Sequence, residues 1–129
     1  MQNTSVDMAQ YYVASHPTVY NGLLYMRSGD YTPVAHVFNR FSNLFLSDGA
    51  LEIESNSSEP YAVAAKKGDT VYALISSYRK PADSFNLEIP GKKIKIWGLS
   101  DGGFGYLKEV DGGARLPLSK YTVYYIEAE

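Results

Sequence analysis

Few residues in this chain could do chemistry, and their spacing decides how far each can be taken. His16 and His36 are the only histidines. One precedes a proline, the other sits inside a helical pattern, and no carboxylate or second histidine falls at metal-ligand spacing such as i, i+4. The sequence therefore predicts no metal and no cofactor. Ser100-Asp-Gly-Gly-Phe-Gly-Tyr106 has the glycines of a phosphate cradle but lacks the P-loop lysine and opens no helix. It reads as a surface hairpin loop. There is no Gly-x-Ser-x-Gly elbow for a serine nucleophile. No acid, base and nucleophile converge in sequence, so no catalytic residue is expected. What remains is aromatic. Trp97, Phe104 and Tyr106 lie close together around the glycine loop, and an exposed indole or phenol can stack on a sugar ring. The competing reading of Trp97 is structural, because tryptophan is highly buried on average.

Composition narrows the classes. The 129 residues fit one domain, large enough to bury roughly two thirds of its unfolded surface. The chain has no cysteine, which rules out a disulfide scaffold without fixing a compartment. A formal net charge of -2 and scattered basic pairs, Lys66-Lys67 and Lys92-Lys93, argue against nucleic acid. No run of eighteen apolar residues exists to span a membrane. The first seven residues lack a signal-peptide pattern, which leaves a cytoplasmic protein or a start cut from a longer one. Asn3-Thr-Ser5 and Asn56-Ser-Ser58 fit the glycosylation triplet, which is common by chance. Tyrosine is abundant, 12 residues against 1 tryptophan, as suits half-wet β-strands.

The positioning elements follow from pattern. Thr4 and Asp7 fit a capping box, predicting a short helix over Ser5 to Ser15 that His16-Pro17 ends. Residues 22–26 read as a short strand. Thr32-Pro33 opens a second, stronger helix, with threonine at the N-cap and proline at the first helical position. Val34, Val37, Phe38, Phe41, Leu44 and Phe45 form one apolar stripe at helical period. That stripe needs a surface to cover: this chain's own sheet, or a partner.

Beyond Ala50 the chain reads as all β. Leu51 and Ile53 alternate with glutamates. Residues 61–89 form a three-strand meander, turning at Gly68-Asp69 and Pro81-Ala-Asp-Ser84. Pro90-Gly91 turns into Lys92–Trp97, where Ile94 and Ile96 oppose Lys93, Lys95 and Trp97. Strands follow at residues 106–110, 116–118 and 121–126, with a turn at Asp111–Gly113. Short strands with turn signals about every ten residues predict a mainly β fold. The expected form is an antiparallel β-sandwich of about seven or eight strands with one or two N-terminal α-helices.

Residues 8–17, 31–42 and 116–126, taken together, resemble the C-terminal end of clan A glycoside hydrolases of the α-L-arabinofuranosidase type. In those enzymes a (β/α)8 barrel is followed by a β-sandwich. The resemblance implies that residues 1–49 correspond to the barrel's end, packed on the sandwich, and 50–129 to the sandwich itself. The two catalytic glutamates of such retaining enzymes lie about 5 Å apart on barrel strands, which would fall upstream of Met1. No glutamate here matches their motifs.

Two functions stay open. One is a non-catalytic accessory domain that covers a catalytic barrel, or self-associates, through Val34, Val37, Phe38, Phe41 and Phe45. The other is a carbohydrate-binding module that uses Trp97, Phe104 and Tyr106 on a polysaccharide. An outward aromatic row favours the second; burial of those rings favours the first.

Overall fold

The computed structural model describes residues 15–16, 23–25, 28, 30–56, 60–77, 83–100, 103–118 and 123–129. The helix expected over Ser5 to Ser15 lies outside them but for Ser15, which opens a strand. Two short strands, β1 (Ser15–His16) and β2 (Leu24–Tyr25), pair in parallel. The helix α1 spans Pro33–Phe45, as the Thr32-Pro33 signal requires. Thr32 holds an extended backbone, and its Oγ1 accepts from the Ala35 N–H at 3.4 Å. The remaining strands are β3 (Gly49–Ala50), β4 (Tyr61–Lys67), β5 (Thr70–Ser76), β6 (Ser84–Ser100), β7 (Gly103–Pro117) and β8 (Val123–Ala128). They form one six-stranded antiparallel sheet in the order β3-β4-β5-β8-β6-β7. The fold is thus mainly β with one described helix.

Three features differ from the sequence reading. The third strand of the expected meander does not pair with the second, because β8 inserts between β5 and β6. And the turn signals at Pro90-Gly91 and Asp111–Gly113 do not reverse the chain. β6 and β7 run through them as strands of 17 and 15 residues. Gly91 and Gly112 take positive φ, 74° and 72°, and the register shifts between Glu88 and Lys93. The result is a bend in a two-stranded ribbon, the work of a bulge rather than a hairpin. Residues 51–55, expected to alternate as a strand, carry no strand. Leu51 still donates its N–H to Ala64 O at 2.9 Å.

The bend makes a sandwich from one sheet. Gly98 pairs with Tyr124, yet the Tyr124 ring lies 5.9 Å from Phe85, thirteen residues back along the same strand. A straight strand would set those residues about 43 Å apart, so the ribbon folds back over the sheet. Between the two layers lies the main core: Ala64, Ala73, Ile75, Ile94, Ile96, Leu116, Tyr124, Ile126 and Ala128, with Phe85, Leu87 and Ile89 against it. The Tyr124 hydroxyl donates to Pro117 O at 2.6 Å and ties the layers together.

The sheet's other face carries α1. Its packing residues are Val63, Ala65, Tyr72, Leu74, Trp97, Phe104, Val123 and Tyr125, with Leu44 and Phe41 from the helix. Period-two alternation accounts for the partition: Ile94 and Ile96 point into the first core, and Trp97 points to the helix face.

Candidate functional site

Antiparallel register sets the helix face out in rows. Trp97 stands between Tyr106 on β7 and Tyr125 on β8. Two residues along, Lys95 stands between Glu109 and Glu127. In the other direction Leu99 stands between Phe104 and Val123. A second register shift, between Ile96 and Trp97, makes Ile96 face Lys108 while Trp97 faces Tyr106. Leu107 is the extra residue. This bulge re-aims β7 so that Tyr106 comes onto the helix face beside the indole.

The helix crosses these rows. At its start His36 stacks on Phe104, with centroids 5.5 Å apart and planes at 16°. One turn on, the Arg40 guanidinium sits 4.8 Å from the Phe104 centroid and 5.0 Å from that of Tyr125. Asn43 Nδ2 donates to the Tyr125 hydroxyl at 2.8 Å, and that hydroxyl donates to Glu127 Oε1 at 3.1 Å. Burial is the main cause that pushes the Tyr125 hydroxyl well above its ordinary pKa, with Glu127 adding to it and Asn43 and Arg40 opposing. Leu44 then packs against the sheet near Ala65 and Leu74.

The helix therefore meets the sheet with His36, Arg40, Asn43 and Leu44. At 3.6 residues per turn this line lies about a third of a turn from the centre of the apolar stripe. The stripe is divided. Leu44 is buried, and Val34, Val37 and Phe41 are half-buried. Phe38 is 40% exposed, Phe45 74% and the neighbouring Leu46 63%. The sequence missed Arg40, Asn43, Tyr125 and Glu127. Of these, only the run Tyr124-Tyr125 carried a signal, since adjacent strand residues face opposite sides.

Of the three aromatics singled out, the structure brings two together at the surface. Trp97 and Tyr106 meet edge to face with centroids 5.6 Å apart, and Trp97 also lies 5.5 Å from Tyr125. Trp97 is half-buried and Tyr106 is 56% exposed. Phe104 is set apart from them, half-buried beneath His36 and Arg40. Beside the pair, charges alternate by strand: acids on β7, lysines on β6, acids on β8 and the terminus. Lys93 Nζ lies 3.7 Å from Glu109, and Lys95 Nζ 3.2 Å from Glu129. The bond to Glu129 raises the Lys95 pKa. Such a surface can stack and hydrogen-bond; it shows no nucleophile beside a base. Among the described residues no three histidine, aspartate or glutamate side chains gather to hold a metal ion. No described helix is long and apolar enough to cross a membrane.

With this geometry the chain can be set beside known proteins. Its fold resembles part of a xyloglucanase. The match is to a Paenibacillus polymyxa xyloglucanase from glycoside hydrolase family 44, with a TM-score of 0.50 and 10% identity. It covers 64% of this chain and 19% of the xyloglucanase chain, so this protein spans about a fifth of that enzyme's length. At that identity the likeness is one of fold. No family model and no curated protein matches the sequence.

Proposed function

We propose that this chain is a non-catalytic accessory domain of the glycoside hydrolase kind, which covers a catalytic barrel with the outer flank of α1. The observation that carries this reading is the division of the helix stripe. Phe45 and Leu46 project from the end of a helix whose sheet-facing line is already satisfied. Large apolar side chains grouped at one end of an element favour a protein partner or self-association. The likeness in fold to about a fifth of a xyloglucanase supports a sheet domain that accompanies a larger catalytic body. In this reading residues 1–49 stand for the end of the barrel and 50–129 for the accessory sheet. The arabinofuranosidase type is the finer form of the proposal.

The test is in two parts. Purified chain, incubated with xyloglucan and arabinoxylan, releases no reducing sugar. Light scattering finds a mass above the monomer, and Phe45→Glu/Leu46→Glu returns it to the monomer. Turnover that survives repurification refutes the non-catalytic assignment. A wild-type monomer with no more apolar-dye binding than the variant refutes the covering surface.

A second reading, direct carbohydrate binding, is favoured by one observation: the meeting of Trp97 with the exposed Tyr106 on the helix face.

A further inference from the structure

We propose that the corner formed by Trp97 and Tyr106, with Lys95, Glu109 and Glu127 one row along the same three strands, binds one neutral pyranose unit of a polysaccharide chain. The proposal rests on the second reading above and gives it a site and a ligand class. Three features of the corner carry it.

The first is shape. α1 crosses the face from Phe104 on β7 to Ala65 on β4 by way of Tyr125. That diagonal leaves Tyr106 and the row beyond it on the open side. Tyr106 is 56% exposed and meets the indole at 72°. The two rings form an inside corner, with an apolar wall and a floor. A pyranose offers a matching apolar surface in its axial C–H groups.

The second is the polar row. Lys95 and Glu127 point to the same side as Trp97 because they lie two residues, about 7 Å, along their strands from Trp97 and Tyr125. Glu109, three residues from Tyr106, joins them because the Leu107 bulge takes up the extra residue. A sugar resting on the rings directs its equatorial hydroxyls sideways, and vicinal hydroxyls pair well with a carboxylate that accepts and an ammonium that donates.

The third is charge. The lysines are already matched, Lys93 by Glu109 and Lys95 by Glu129. An ionic ligand would have to displace one of these partners. A neutral polyol bonds to the same groups and leaves the pairs in place. Phe104 takes no part, because its ring is engaged by His36 and Arg40.

Trp97 is the sole tryptophan, so its emission reports on the corner alone. The experiment is affinity electrophoresis of the whole chain in gels holding soluble xyloglucan, arabinoxylan or dextran, with tryptophan emission titrated against each. The expected result is retardation by at least one polymer, with a shift in emission at the same concentrations. Tyr106→Ala, an exposed position whose loss leaves the fold intact by circular dichroism, weakens retardation about tenfold, the scale on which one aromatic anchor counts. Lys95→Met weakens it too. No retardation by any polymer overturns both the site and the carbohydrate-binding reading. Retardation that persists in Tyr106→Ala, with emission unmoved, overturns the site and leaves the reading standing.

Discussion

Leu44 and Phe45 are adjacent on α1, and the fold assigns them opposite fates. Leu44 is 7% exposed and packs in the cluster with Ala65, Leu74 and Tyr125. Truncating such a leucine removes its transfer energy and leaves a cavity, about 2–5 kcal/mol together. The site is bounded by small Ala65 and by aromatic rings held in contact, so collapse is limited, and a cost of about 3 kcal/mol is expected. Phe45 is the larger side chain but is 74% exposed. Full burial of a phenylalanine is worth about 1.5–3 kcal/mol, and a quarter of that is roughly 0.4–0.8 kcal/mol. Urea denaturation followed by the emission of Trp97, which lies 5.5 Å from Tyr125, measures both. In a domain of this size 1 kcal/mol moves Tm by roughly 3–5 °C, so Leu44→Ala drops Tm by about 10 °C and Phe45→Ala by about 2–3 °C. If Phe45→Ala costs as much as Leu44→Ala, the helix is rotated from the orientation described, and the flank assigned to a partner is inside.

Three further outcomes test other parts of the fold. Gly113→Ala places a Cβ 2.8 Å from the Leu87 carbonyl oxygen, a backbone atom, whereas Gly98→Ala meets only the flexible end of Leu107 at 2.9 Å; the first costs about 1–3 kcal/mol in thermal unfolding and the second well under that. Tyr125→Phe leaves the Asn43 amide without its acceptor and lowers stability by about 1 kcal/mol, with little further loss when Asn43→Ala is added in a double-mutant cycle. Burial raises the hydroxyl pKa values of both Tyr124 and Tyr125. Both rings stay neutral in the fold while the unfolded chain ionises near the ordinary value of about 10. The unfolded state then binds fewer protons, so stability is whole below pH ~10 and falls as pH rises beyond it; unchanged urea midpoints from pH 8 to 11 contradict this.

How much of this was legible in the sequence depends on how local the determinant was. The start of α1 was readable because Thr32 and Pro33 act within one turn. The split of β6 into Ile94 and Ile96 against Trp97 was readable because it needs only period two. The apolar stripe was legible as a stripe, but a stripe has no address. Which line of the helix meets the sheet is decided by Phe104 and Tyr125, 64 to 85 residues away in sequence, which accept His36 and Arg40 on their ring faces. Gly91 and Gly112 read as glycines of reversing turns, but φ above zero serves a bend as well as a reversal, and only the pairing of β6 with β7 selects the bend. The insertion of β8 beside β5 had no local signal at all. The candidate aromatic site was half legible: the Leu107 bulge, which the sequence does not announce, sets Tyr106 against Trp97, and Phe104, on the same face of β7, is taken by His36 and Arg40.

That bulge also bears on how the sheet ends. β7 is an outer strand of 15 residues, long enough to recruit a foreign strand. Its edge is kinked at Leu107, carries Lys108 and Glu109 beside the kink, and bends again at Gly112. At the opposite border β3 has only two residues. Both borders are thus poor templates. Strand-on-strand stacking of copies, from which fibrils grow, is thereby disfavoured at both borders.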